Sequence, residues 1–203
     1  MSTTHIVRTA LASTFFLALL PGHAGTPVPS SSQTPAMLSS WKGPYGGVPA
    51  WSEIQPAAFP AAFAMAMQAQ RDALQSITAN PRPATFANTI LALEQSSELL
   101  DRVGILFGVH TSTLNLGVIP KVEQEMAPRL AAFSDEITQN GPLFKRIEQV
   151  HLNVGKEQLT PEQRRLTWLF YTNFVRSGAK LDGQQKAQLG ALNQRLASLA
   201  TQF

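Results

Sequence analysis

Residues 59–77 read FPAAFAMAMQAQRDALQSI, and their spacing decides the fold class. Phe59, Phe63, Met67, Gln70, Leu74 and Ile77 recur at steps of four and three, the period that lines side chains along one face of an α-helix. Gln70 is the polar member of an otherwise apolar stripe. The pattern stops at Asn80-Pro81-Arg82-Pro83, where proline removes a backbone donor and pushes the residue before it toward extended conformations. Met65 and Met67 are expected to fill core space, the alternative being a pliable peptide-binding surface.

The same period continues downstream. Thr85 offers an N-cap oxygen to a longer helix carrying Phe86, Ile90, Leu93, Leu100, Val103 and Phe107 toward His110. Leu114 to Pro120 reads as a break. Val122, Met126, Leu130, Phe133 and Ile137 restart the stripe, and Asn140-Gly141 is expected to close that helix. Pro142 opens a shorter helix with Phe144, Ile147 and Val150, fraying over Asn153 to Leu159. Thr160-Pro161-Glu162-Gln163 has the form of a capping box with proline at the first helical position, and the helix it starts should bury Leu166, Leu169, Phe170 and Phe174 and end near Gly178. Asp182 and Gln185 cap a last helix whose seam is Leu189, Leu192, Leu196, Leu199 and Phe203. It runs to Phe203 with no glycine stop or polar tail, so the expectation is an all-α body whose last helix is truncated, leaving apolar surface free for a partner.

Residues 1–24 have the layout of a secretory signal peptide: His5 and Arg8 precede an apolar run from Ala10 to Leu20, and Gly22-His23-Ala24 supplies small residues at the cleavage spacing. That run is too short to span a bilayer, so no permanent membrane anchor is expected. Residues 25–47, rich in Pro, Ser, Thr and Gly, read as a flexible leader, and the helical domain occupies 48–203. Trp41, Tyr45 and Trp51 read as anchors that land the leader on the body, with a ligand-stacking patch as the functional alternative.

Composition excludes several classes. Of 203 residues 44% are hydrophobic, enough for a genuine core, and 16 Lys+Arg against 13 Asp+Glu leave a net charge of +3. Basic residues concentrate in 142–203 and acidic ones in 92–136, but no aromatic platform or recognition motif accompanies them, so no nucleic-acid partner is expected. The absence of cysteine removes disulfides, thiolate metal sites and a Cys nucleophile.

Of the four histidines, His5 and His23 fall in the signal peptide. His110 reads as a satisfied or capping residue near a helix end rather than a ligand, and His151 as exposed, with no second ligand a helical turn away. There is no Gly-x-Ser-x-Gly elbow, and the glycines of Gly43-Pro44-Tyr45-Gly46-Gly47 lack the lysine of a phosphate loop. The pairs Glu94/Glu98 and Glu123/Glu125 belong on charged helix faces. No residue is therefore assigned a catalytic, cofactor-binding or metal-binding role.

Three segments carry a family resemblance. They are 83–103, with Pro83-Ala84-Thr85-Phe86-Ala87-Asn88-Thr89-Ile90, Ala92-Leu93-Glu94 and Leu99-Leu100-Asp101-Arg102-Val103; 174–181, Phe174-Val175-Arg176-Ser177-Gly178-Ala179-Lys180-Leu181; and 192–203, from Leu192-Asn193-Gln194-Arg195 to Phe203. Together they resemble the N-terminal region of the thimet oligopeptidase family of zinc peptidases, in particular its bacterial peptidyl-dipeptidase branch. The resemblance extends over about 44–203. It implies an all-helical lobe of a much longer two-lobed enzyme whose channel admits short peptides, with zinc held by a His-Glu-x-x-His motif that this sequence does not contain. Zinc is thus a cofactor of the full-length family and not of this chain, which would be inactive until joined to the missing C-terminal part. A stand-alone helical protein that binds peptides or a partner helix is the alternative. Periplasmic export is the expectation from the signal peptide. N-terminal sequencing of the exported product should begin at Gly25; a chain still carrying Met1 there would contradict cleavage after Ala24.

Overall fold

A computed structural model describes residues 34–45 and 47–202. The stretch 1–24 expected to be a signal peptide, the expected leader up to residue 33, and Phe203 lie outside the described residues. The chain folds as helix α1 (Thr34–Leu38), α2 (Phe59–Thr78), a π-helical turn (Phe86–Leu91), α3 (Ala92–Ser96), α4 (Glu98–Thr113), α5 (Ile119–Thr138), α6 (Gly141–Leu152), α7 (Pro161–Arg176) and α8 (Gly183–Ala200). Among the described residues there is no β-strand, only an isolated antiparallel bridge between Lys42 and Val48. The all-α class is what the apolar stripes at helical spacing dictate.

Helix α2 serves two cores with one stripe. Phe59, Phe63 and Met67 sit in the first, with Met37, Val103, Leu106, Phe107, Met126 and Phe133 from α1, α4 and α5. Leu74 and Ile77 sit in the second, with Phe86, Ile90, Leu93, Leu143, Ile147, Val150 and Phe174. Gln70, only 5% exposed, falls between them and donates from Nε2 to Ser96 Oγ at 3.3 Å. Ile137 of α5 packs against both cores. Burying each large apolar side chain contributes about 1.5–3 kcal/mol, so this division gives each end of the molecule its own anchor.

Side-chain caps start the π turn, α6, α7 and α8, whereas α2 to α5 begin without one. Thr160 Oγ1 accepts from Gln163 N while Thr160 N donates to Gln163 Oε1, and Asp182 and Gln185 make the same reciprocal pair. Gly178, at φ +88°, ends α7 in the left-handed region, and a Cβ there would come within 2.8 Å of Leu181 and 2.9 Å of Leu189. The turn delivers Ala179 into the second core. Gly47, at φ +112°, likewise has no room for a Cβ, which would lie 2.7 Å from the Trp41 backbone.

The structure departs from the sequence reading in several places. The single helix expected from Thr85 to His110 is three pieces, because the π turn shifts the register and Ser97 interrupts the ladder, its Oγ donating to Glu94 O and Asp101 Oδ2. Asn140-Gly141 does not close α5: Asn140 is the N-cap of α6, its side chain accepting from Leu143 N at 2.9 Å. The described part of the 25–47 leader packs on the body, since Met37 is fully buried and Arg102 Nη1 donates to Leu38 O at 2.6 Å. In α7 only Thr167 and Phe174 are fully buried, while Leu166 and Phe170 are half-buried against the second core. Met67 fills core space, whereas Met65 is 51% exposed.

Helix α8 joins by a different principle. It lies antiparallel on the outer face of α5, with Lys186 Nζ donating to Gln139 O at 3.1 Å and Asn193 Nδ2 to Asp135 Oδ1 at 2.8 Å. No α8 residue is fully buried. Of its leucine seam, Leu189 is half-buried against the Gly178 turn, while Leu192, Leu196 and Leu199 stay exposed. Ile147→Ala should therefore lower unfolding free energy by about 2–5 kcal/mol, while Leu192→Ala should change it by about 0.5 kcal/mol or less, in urea titrations of the purified chain.

Candidate functional site

The two histidines of the body sit in different cores. His110, in the last turn of α4, presents its ring edgewise to Phe59 (centroids 5.5 Å apart, 72° between planes) and Trp51 (6.2 Å, 61°), and its Nε2 is buried without a partner. His151 is half-buried and stacks face to face on Tyr171, 4.0 Å between centroids and 6° between planes, so it is not the freely exposed residue its spacing suggests. Among the described residues no group of three or more His, Asp or Glu is placed to hold a metal ion. The donor set a catalytic zinc needs does not fit here.

Next to His151, Lys180 Nζ donates to Tyr171 Oη at 3.1 Å and pairs with Glu148 at 3.1 Å. The Tyr171 hydroxyl, and then Glu148, raise the Lys180 pKa above its ordinary value. A raised lysine pKa keeps this contact at neutral pH and releases it only as alkaline pH removes the proton. Trp41 folds onto the first core and Trp51 edges His110, but Tyr45 is fully exposed and anchors nothing.

The best-built polar feature is the junction that carries the π turn. Thr85 and Asn88 form a reciprocal capping box: Thr85 Oγ1 accepts from Asn88 N at 3.2 Å, and Asn88 Oδ1 accepts from Thr85 N at 2.9 Å. Asn88 Nδ2 also donates to Pro83 O at 2.9 Å, and Glu157 Oε2 accepts from Phe86 N at 3.2 Å. Arg146 of α6 reaches across to donate to Asn80 O (2.9 Å), Arg82 O (3.2 Å) and Asn88 Oδ1 (3.0 Å). Sequence reasoning finds Thr85 and the proline stop but misses Arg146. The available signal is the run of exposed carbonyls that Pro81 and Pro83 leave without nearby donors, which a guanidinium with five N–H groups can satisfy.

Beside this junction lies a recess of about 400 Å³ between the C-terminal half of α2 and the π turn, lined by Ser76, Asn80, Asn88, Gln95 and Ser96 together with small apolar groups. None of its lining side chains ionises. Amide and hydroxyl walls of this kind match the donors and acceptors of a peptide backbone; they can bind and orient but supply no proton relay. A second, more apolar recess of about 580 Å³ lies between α4 and α5 and is lined by Phe63, Leu100, Ile105, Phe107 and Leu130.

No protein-family model matches the chain. Two curated relatives are peptidases. The chain is 37% identical over 142 residues to the dipeptidyl carboxypeptidase of Escherichia coli, covering 70% of this chain and 21% of that protein. It is 32% identical over 155 residues to the dipeptidyl carboxypeptidase of Salmonella typhimurium, covering 76% of this chain and 23% of that protein. The likeness to bacterial peptidyl-dipeptidases is thus shown, and the chain spans about a fifth of the length of the curated relatives it matches.

Arg146 is the residue on which the junction turns. Arg146→Ala should destabilise the chain by about 1.5–3 kcal/mol, the range for hydrogen bonds to a charged donor, and Arg146→Lys should restore little of it because an ammonium cannot span the three acceptors; thermal and urea unfolding would measure both.

Proposed function

We propose that this chain is the N-terminal, non-catalytic lobe of an exported zinc peptidyl-dipeptidase of the thimet oligopeptidase family. Its helices would form part of the wall of a channel that admits short, unstructured peptides, and the zinc site would be supplied by the remaining C-terminal portion. The observation that carries this reading is the 37% identity over 142 residues to a dipeptidyl carboxypeptidase of which the match occupies only 21%. The side chains are consistent with that division of labour. Two apolar cores hold the lobe in shape, neutral amide groups line its recess, and both body histidines are spent on aromatic packing. The signal-peptide layout of residues 1–24 supports delivery to the periplasm.

A stand-alone protein that binds peptides or a partner helix is the second reading, favoured by the exposure of Leu192 and Leu196 on α8, 65% and 67%. The two readings diverge on the DNA downstream of codon 203. The lobe reading expects coding sequence there with His-Glu-x-x-His, and expects the isolated 203-residue product to hold no stoichiometric zinc by elemental analysis and to leave short peptides intact. Absence of that motif from every downstream frame would transfer the case to the binding protein. Zinc-dependent, chelator-sensitive cleavage by the homogeneous chain would overturn both.

A further inference from the structure

Helix α8 presents an apolar face to solvent. Leu192, Leu196 and Leu199 are 65%, 67% and 40% exposed, and their spacing of four and three sets them on one face. The positions that touch α5, Lys186, Gly190 and Asn193, lie about a third of a turn round the helix, at roughly 100° per residue. The hydrogen bonds to α5 therefore hold α8 in place while leaving Leu192, Leu196 and Leu199 free. Such a stripe marks an interaction surface.

We infer that the Leu192/Leu196/Leu199 face of α8 is the seat of an apolar helix face from the portion of the peptidase outside this chain. This rests on the peptidase-lobe reading. The occupant is chosen by length: the curated relatives align with this chain over only 21% and 23% of their own residues, so most of each relative is available to cover the stripe. The polar latch to Asp135 and Gln139 supports the same occupant, because it fixes the leucines in a defined orientation before any partner arrives, which lowers the ordering cost of docking.

The test is a chimaera in which the aligned segment of the Escherichia coli dipeptidyl carboxypeptidase is replaced by residues 34–203 of this chain, so that α1 and Met37 are kept, assayed on a short synthetic peptide. The unsubstituted chimaera should cleave it. Leu192→Glu with Leu196→Glu should reduce cleavage at least tenfold and lower the chimaera's melting temperature, whereas Leu192→Met with Leu196→Met, and Gln194→Glu on another face of α8, should stay within twofold. In the isolated chain the double glutamate variant should keep its helical circular dichroism and melting temperature, and light scattering should report a monomer. Cleavage by the double glutamate chimaera within twofold of the unsubstituted one overturns the inference while leaving the lobe reading intact. So does an isolated-chain dimer dispersed by the same substitutions, which would make a second copy the occupant, or melting of the isolated variant, which would make the leucines internal supports. An inert unsubstituted chimaera overturns the lobe reading and this inference with it.

Discussion

Helix α2 has to bury a single stripe in two directions at once, and the remainder of the molecule is arranged around that requirement. Its N-terminal half, through Phe59, Phe63 and Met67, draws α1, α4 and α5 onto one end, and Leu74 and Ile77 draw the π turn, α6 and α7 onto the other. A stripe of five large apolar groups with a glutamine between the third and the last two cannot be served by one compact cluster on a helix 20 residues long, or roughly 30 Å. Gln70 marks the change of partner, and its bond to Ser96 satisfies its amide nitrogen where the two cores meet.

The second half depends on a polar device. Two prolines at 81 and 83 end α2 abruptly and expose carbonyls, and Arg146 gathers those carbonyls together with Asn88. That node sets the angle at which the π turn leaves the loop, and hence places Phe86 and Ile90 in the second core. One of the segments that carry the family resemblance, Pro83 to Ile90, thus has Thr85 and Asn88 committed to the capping box and Phe86 and Ile90 to the second core.

Helix α8 is attached to α5 by hydrogen bonds from Lys186 and Asn193, and none of its residues is fully buried. Polar attachment is weaker than core packing but more directional. It is suited to presenting a surface, just as the aromatic stacks at His110 and His151 are suited to filling space.

Helical class, the capping boxes at Thr160 and Asp182, and the core positions of α2, α5 and α6 are legible in the sequence, because period, caps and prolines act within one turn of the chain. The same locality lets composition dismiss a thiolate or clustered-histidine site. What sequence reading lacks is partner identity. It joins the π turn, α3 and α4 into one helix, since a one-residue register shift hardly alters an apolar period. It assigns Asn140 to the end of α5 when the packing of Leu143 uses it to begin α6. It cannot see Arg146 reaching Asn80 and Asn88 from a distant helix, nor His151 finding Tyr171, nor that α8 turns its leucines from α5 and docks by Asn193. Short-range geometry is written in neighbouring residues, whereas which face of a helix is covered depends on what the fold brings against it, and that only tertiary structure decides.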